Sequence, residues 1–300
     1  MTSDRDPAQT THPMRDAFDD ALAAEENACR SPNRRADRDV ALLDRPELRP
    51  VRLQLEYLKP ELAFERLGIR STIVAFGSTT LIDPEDARRQ LAQAEDAARR
   101  APNDEGARAA VERARLSLSK SHYYAIAREL GRLVGRFGQG PHDHRLVIAT
   151  GGGPGAMEAA NRGAHDVGAA SIGLNIVLPH EQIPNPYITP ELCFQFHYFA
   201  LRKMHFMLRA QALVCFPGGF GTLDELFDAL TLIQTGKAEP IPILLFDEAY
   251  WRRIIDFEAM AEEGVIAPED LGLFQYVESA EQAWRLIQDH YAAAEPEGST

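Results

Sequence analysis

The run QALVCFPGGFGTLDELF, residues 211–227, moves from an apolar segment through a glycine cluster into a helical repeat. Gln211 to Phe216 reads as a short buried strand, and in the continuation LDELFDALTLIQTG the residues Leu226, Leu230 and Ile233 recur at helical spacing. The local order is therefore strand, glycine loop, helix. Gly218, Gly219 and Gly221 permit a sharp turn and leave no Cβ between the main chain and a ligand. Just beyond them, the first helical turn offers unpaired N–H groups at the positive end of the helix dipole, a setting that suits a phosphate. A second reading competes. Thr222-Leu223-Asp224-Glu225 fits the T-x-x-E capping box, in which both side chains only satisfy helix-start donors, and for an isolated T-x-x-E the cap is the favoured reading. A second glycine loop upstream and the Arg202-Lys203 pair ahead of the strand shift the balance toward phosphate.

That second loop is GGGPGAMEAANRGAHDVG, residues 151–168, entered directly from the apolar run RLVIAT, residues 145–150. Gly151, Gly152, Gly153 and Gly155 make the turn, and Pro154 stands near a helix start, where its missing N–H does no harm. The dinucleotide fingerprint G-x-G-x-x-G fails here: counted from Gly153, its last position is Glu158, and no acidic residue stands about 20 positions on, near Ser171. The ATP-binding loop G-x-x-x-x-G-K-[ST] is absent as well. Glu158 itself either serves the helix dipole or faces the pocket.

Three more apolar runs complete a pattern. STIVAFGSTT, residues 71–80, ends in Gly77 and Ser78; ASIGLNIVLP, residues 170–179, leads into a proline-punctuated loop carrying Glu181; IPILLF spans residues 241–246. LCFQFHYF, residues 192–199, reads as an edge strand or the approach to a helix, and ALRKMHFMLRA, residues 200–210, as a helix with Leu201, Met204 and Leu208 inward. Five strands alternating with helices predict an α/β fold, a Rossmann-like doubly wound parallel sheet with ligands at its carboxyl edge. Both glycine turns then fall on that edge and share one pocket.

Around this frame, residues 1–40 read as a flexible tail with a short helix near residues 14–29, and residues 41–300 as a single nucleotide-binding domain. Residues 45–68 carry leucines at near-helical spacing, with Pro50 and Pro60 expected to divide them into short helices. Residues 83–120 form a helical insertion broken at Ala101 to Gly106, and Tyr124, Ala127, Leu130 and Val134 make the inner stripe of the helix that follows. Two closing helices cover residues 249–260 and 280–291.

A formal charge of −13 argues against a nucleic-acid or anionic-membrane surface, and no apolar run approaches the roughly 20 residues a bilayer requires. The first 20 residues lack a secretory signal's apolar core, and Cys29, Cys193 and Cys215 form no metal-ligand pair or disulfide framework; both observations point to the cytoplasm. His142 and His144 read as solvated loop residues, and no metal or cofactor is expected.

PGGFGTLDE, residues 217–225, resembles the PGGxGTxxE signature of the LONELY GUY family, long described as lysine decarboxylase-like. GGGPGAMEAANRGA resembles the family's bacterial branch, Arg202-Lys203 stands where the family carries its Arg-Lys pair, and the long N-terminal region is similar to that of its larger bacterial members. The resemblance implies a nucleoside 5′-monophosphate phosphoribohydrolase: water cleaves the N-glycosidic bond of AMP or a cytokinin riboside 5′-monophosphate, giving free base and ribose 5-phosphate. It assigns Arg202 and Glu225 as the catalytic pair. Gly77, Ser78, Gly152, Gly153, Glu158, Glu181, Lys203, Gly218, Gly219, Gly221, Thr222 and Thr231 are the implied substrate-binding positions, and a homodimer or higher homo-oligomer the implied assembly. Many relatives have Gly-Ser-Ala-Arg where this chain has Gly77-Ser78-Thr79-Thr80, a departure that bears on substrate preference. The lysine decarboxylase description finds no matching cofactor-linked lysine. The competing expectation is a non-hydrolytic nucleotide or molybdenum-cofactor carrier or sensor on the same fold, which has no need of an Arg202 with Glu225 pair.

Overall fold

The computed structural model describes residues 34–137, 146–178 and 183–292; the short N-terminal helix expected near residues 14–29 and the His142 and His144 loop lie outside them. The chain divides into two units, Met1–Leu55 and Glu56–Thr300. In the first, a single helical turn, Val40–Leu43, is capped by Asp39, whose carboxylate accepts the Leu42 N–H at 3.1 Å. Arg52 donates to the carbonyls of Leu43 and Arg45.

The second unit is built on seven parallel strands: β1 (Ser71–Phe76), β2 (Leu146–Thr150), β3 (Ser171–Ile176), β4 (Cys193–Phe196), β5 (Ala210–Cys215), β6 (Ile243–Phe246) and β7 (Gln275–Val277). Their order across the sheet is β4-β3-β2-β1-β5-β6-β7, with Val74 in register with Ala149 on one side and Leu213 on the other. The chain runs outward from β1 to β4, returns to the centre at β5 and runs outward again. The switch point therefore falls between β1 and β5, where open α/β sheets leave a crevice beyond the carboxyl ends.

Strands buried on both faces read as unbroken apolar runs, which is why five of them stand out in the sequence. Alternate residues go to opposite faces. Val74, Phe76, Val147, Ala149, Leu213, Cys215 and Leu245 pack on one side beneath Phe206, Leu226, Leu230 and Trp251. Ile73, Ala75, Ile148, Ala212, Val214 and Leu244 pack on the other beneath Tyr124, Leu130, Ala160 and Ile287. Burying a Leu or Phe side chain stabilises by about 1.5–3 kcal/mol. The stripe Leu226, Ala229, Leu230, Ile233 thus anchors the helix that follows the glycine loop.

The helices are α1 (Arg49–Leu67), α2 (Pro84–Arg100), α3 (Glu105–Lys120), α4 (His122–Phe137), α5 (Ala156–Asp166), α6 (Phe199–Leu208), α7 (Phe220–Gln234), α8 (Glu248–Ile254), α9 (Phe257–Glu262) and α10 (Ala280–Ala292). Tyr124, Ala127, Leu130 and Val134 are all buried on α4, as their spacing predicts. Pro50 and Pro60 do not divide α1. Pro50 sits in its first turn, where a missing N–H is harmless, and Pro60 is accommodated inside the helix and buried. The closing segment after β6 splits into α8 and α9 because Asp256 caps a new helix, accepting the Ala259 N–H at 2.9 Å. Among the described residues, no helix is long and apolar enough to cross a membrane.

Candidate active site

At the carboxyl ends of β1 and β5 lies a crevice of about 390 Å³, lined by residues 76–80, Met157, Phe199, Arg202, Gly219, Gly221, Thr222, Asp224 and Glu225. The strands converge there tightly. A Cβ on Gly77 would stand 2.6 Å from Ala156 Cβ and 2.8 Å from Phe216 Cβ. Ser78 joins three segments: its N–H donates to the Pro217 carbonyl at 3.0 Å, its own carbonyl accepts the Ala156 N–H at 3.1 Å, and its Oγ accepts the Thr80 N–H at 3.1 Å.

The capping box is not formed. Helix α7 begins at Phe220 with Gly219 as N-cap, whose carbonyl accepts the Leu223 N–H at 3.0 Å, and no side chain caps it. The helix starts three residues earlier than the T-x-x-E pattern places it, because Gly219 takes the extended cap conformation without needing a side chain. Thr222 and Glu225 are therefore interior helical residues, three apart and so on one face, and both are buried. No side chain caps the first turn of α7, and Gly219, Gly221 and Thr222 from that turn line the crevice.

Glu225 is 6% exposed, and its nearest opposite charge is Arg202, Nη1 to Oε1 3.8 Å. Burial pushes its carboxyl up to about 7, even though Arg202 and Lys203 pull the other way. Arg202 comes from α6. Its Nε donates to the Leu174 carbonyl at 2.7 Å, and the guanidinium lies 5.1 Å over the Phe206 ring. Burial draws its proton affinity down, against the pull of Glu225, yet a guanidinium stays charged. The buried face of α6 is thus Arg202, His205 and Phe206, whereas Met204 and Leu208, expected inward, are exposed. An apolar stripe could not reveal this, because the residue turned inward is an arginine whose charge is met by a carbonyl and a carboxylate.

The second glycine turn seats that arginine. A Cβ on Gly151 would lie 2.5 Å from Arg202 Nη2 and 2.9 Å from Met157 Sδ, so only glycine leaves the guanidinium its place. Gly152 has φ +73°, and its neighbour Asn175 fills the space a side chain would take. The Gly152 N–H and the carbonyls of Gly152 and Gly153 are held within the protein. Thr150 Oγ1 accepts the Gly152 N–H at 3.0 Å, and the Asn185 amide donates to the carbonyls of Gly152 and Gly153 at 3.2 and 3.1 Å.

The remaining sequence-predicted positions fall elsewhere. Gly152 and Gly153 are buried behind the crevice and do not line it. Lys203 does not line the crevice; it pairs with Asp224, which does, at 2.7 Å and with Asp228 at 3.9 Å, and lines a second groove of about 620 Å³. Partial burial works against its charge, but Asp224, Asp228 and Glu225 raise its pKa overall, the reverse of what a Schiff-base lysine requires. Glu158 accepts the Tyr124 hydroxyl at 2.8 Å and does not line the crevice. Thr231 is exposed on α7, outside the crevice. Gly218 packs on Thr222. Glu181 lies outside the described residues. Among the described residues, no group of three or more His, Cys, Asp or Glu is arranged to hold a metal ion.

Sequence reasoning alone misses Met157, Phe199 and the buried amides Asn161, Asn175 and Asn185. Asn175 does carry a signal, an amide inside the apolar run ASIGLNIVLP; it donates to the Phe194 carbonyl at 3.1 Å.

Residues 157–287 match the sequence family described as "possible lysine decarboxylase". The chain is similar to two cytokinin riboside 5′-monophosphate phosphoribohydrolases of Arabidopsis thaliana. One is 27% identical over 57% of this chain and 77% of the relative, the other 28% identical over 49% and 69%. Among solved structures, the Moco carrier protein from Chlamydomonas reinhardtii matches at 16% identity and a TM-score of 0.44, covering 75% of this chain and 99% of that one. With the PGGFGTLDE run forming the crevice wall, these sequence matches support kinship with the LONELY GUY family over the half of the chain that carries the crevice.

Proposed function

We propose that the protein is a nucleoside 5′-monophosphate phosphoribohydrolase, acting on AMP or a cytokinin riboside 5′-monophosphate. The observation that carries this reading is the buried Arg202 and Glu225 pair standing in the same crevice as an uncapped helix N-terminus. A phosphate on the first-turn N–H groups of α7 has the dipole and the donors it needs. Anchoring it there commits remote binding interactions to positioning the reacting bond.

In the reaction the bond from C1 of the ribose to the base nitrogen breaks, water supplies oxygen to C1, and its proton ends on the departing base. Positive charge grows on the sugar ring as the bond lengthens. The Glu225 carboxylate stabilises it and orients the water, by the logic of glycoside hydrolysis. Arg202, with its fork fixed by the Leu174 carbonyl, holds sugar or phosphate oxygens and favours the ionised form of Glu225 against its burial. The half-exposed ring of Phe199, three residues before Arg202 on α6, offers the base an apolar face.

The test is a panel of AMP, GMP, CMP, UMP and isopentenyladenosine monophosphate, with free base and ribose 5-phosphate quantified after separation. Base release names the activity and the fastest substrate names the branch; base release from none of them rejects the reading. A second expectation concerns the seat of the arginine. Gly151→Ala forces the guanidinium to move, and misplacing a reacting group by about 1 Å costs on the order of 10²-fold. Turnover of the best substrate should fall by about that factor, while circular dichroism reports an unchanged fold. Wild-type turnover in this variant would mean that Arg202 does not act from its position beside Gly151.

A further inference from the structure

We infer that Tyr250 is a positioning residue for the phosphate end of this crevice, acting through the Gly218-Gly219 peptide; the inference rests on the phosphate-anchoring reading above. The Tyr250 hydroxyl donates to the Gly218 carbonyl at 2.6 Å. All peptides described are free of cis bonds, and in a trans peptide the C=O and the following N–H point in opposite directions. Holding the Gly218 carbonyl on the Tyr250 side therefore turns the Gly219 N–H the other way. Gly219 lines the crevice and Tyr250 does not. No backbone or side-chain acceptor among the described residues takes that N–H.

A peptide between two glycines has little side-chain resistance to flipping, so this orientation needs an external lock. The lock is itself fixed. Tyr250 lies in the first turn of α8, whose cap Asp247 accepts the Tyr250 N–H at 3.0 Å and the Tyr123 hydroxyl from α4. Asp247 is the one non-glycine residue with positive φ among those described, at 71°. Such a conformation costs on the order of 1–3 kcal/mol and persists where the surroundings over-determine it. Here the strained residue holds the tyrosine that holds the loop. The phenolic ring is also available to a purely packing role, and the two roles separate in a variant that keeps the ring.

Tyr250→Phe removes only the hydroxyl from a half-buried site, and water can reach the partly exposed Gly218 carbonyl. The expected result is a KM for AMP raised about tenfold with kcat within about threefold of wild type and a melting temperature within a few degrees. The decisive readout is the Gly219 amide in ¹⁵N-labelled protein titrated with ribose 5-phosphate. It should shift downfield in the wild type and fail to do so in Tyr250→Phe. Equal Gly219 shifts and equal KM in the two proteins would overturn the inference. If the wild type releases base from AMP but its Gly219 amide does not respond, the inference falls and the function stands. If Gly219 responds to ribose 5-phosphate but no monophosphate is cleaved, the function falls and the positioning role stands.

Discussion

Glu225→Gln is expected to lower turnover by about 10³-fold or more and, at pH 8, to raise the melting temperature. The first effect follows from chemistry: an amide can neither carry the charge that steadies the sugar cation nor take a proton from water. The second follows from linkage. In the fold, burial raises the Glu225 carboxyl from its ordinary value near 4.5 to about 7. A raised pKa means that the fold prefers the protonated form. Its cost is therefore absent below pH 4.5, grows as the pH rises to about 7, and stays constant above. At pH 8 the wild type carries that cost in full, on the order of 3 kcal/mol at most, and the glutamine variant does not. Glutamine should thus stabilise at pH 8 and change little at pH 4.5. No capping bond is lost at this interior helical position, and the pull of Arg202 that the substitution forfeits is already counted in the raised carboxyl. The same pKa shapes the wild-type rate. With the carboxylate as the active form, kcat/KM should fall tenfold per pH unit below about 7 and level off above. A profile that rises toward acid would instead make Glu225 a proton donor.

Arg202→Ala should lower turnover by on the order of 10²–10³-fold, the usual scale for removing one positioned charge from a site of this kind. It acts twice, once on the ligand and once on Glu225, which loses the guanidinium 3.8 Å away. A buried carboxylate without its countercharge protonates rather than remain ionised. The acid limb of the pH profile should accordingly move above 7. Arg202→Lys separates the two effects: an ammonium restores the countercharge and returns the limb toward 7, but lacks the planar fork that reaches both Leu174 and a ligand. Turnover should stay low in that variant. A fully active Arg202→Ala enzyme with an unmoved profile would make Arg202 a packing residue.

Much of this architecture is legible in the chain because parallel strands buried on both faces announce themselves as apolar, β-branched runs. Two strands escape that rule. Phe194 and Phe196 in β4 alternate with exposed Cys193 and Gln195, as befits an edge, and in the three-residue β7 only Val277 is buried. The glycine loops are visible as glycines, but their division of labour is not. One lines the crevice with Gly219, Gly221 and Thr222; in the other the Gly152 N–H is taken by Thr150 and the carbonyls of Gly152 and Gly153 by Asn185, partners that come from the preceding strand and from a residue 33 positions on from Gly152. The register of α7 departs from the sequence pattern for a local reason: T-x-x-E describes a helix start only when Thr is the cap, and Gly219 already takes that place. The inward turn of Arg202 depends on the absence of a Cβ at Gly151 and on the Leu174 carbonyl, contacts that no periodicity within α6 encodes.

Hydrolysis of the bond between ribose and base, with the 5′-phosphate as the handle that positions it, is tested most directly by incubating the purified protein with AMP and, separately, with adenosine, and resolving all products. Adenine and ribose 5-phosphate from AMP, in equal amounts and with adenosine left intact, is the predicted result. Adenosine and inorganic phosphate from AMP, or adenine released equally fast from adenosine, would contradict it.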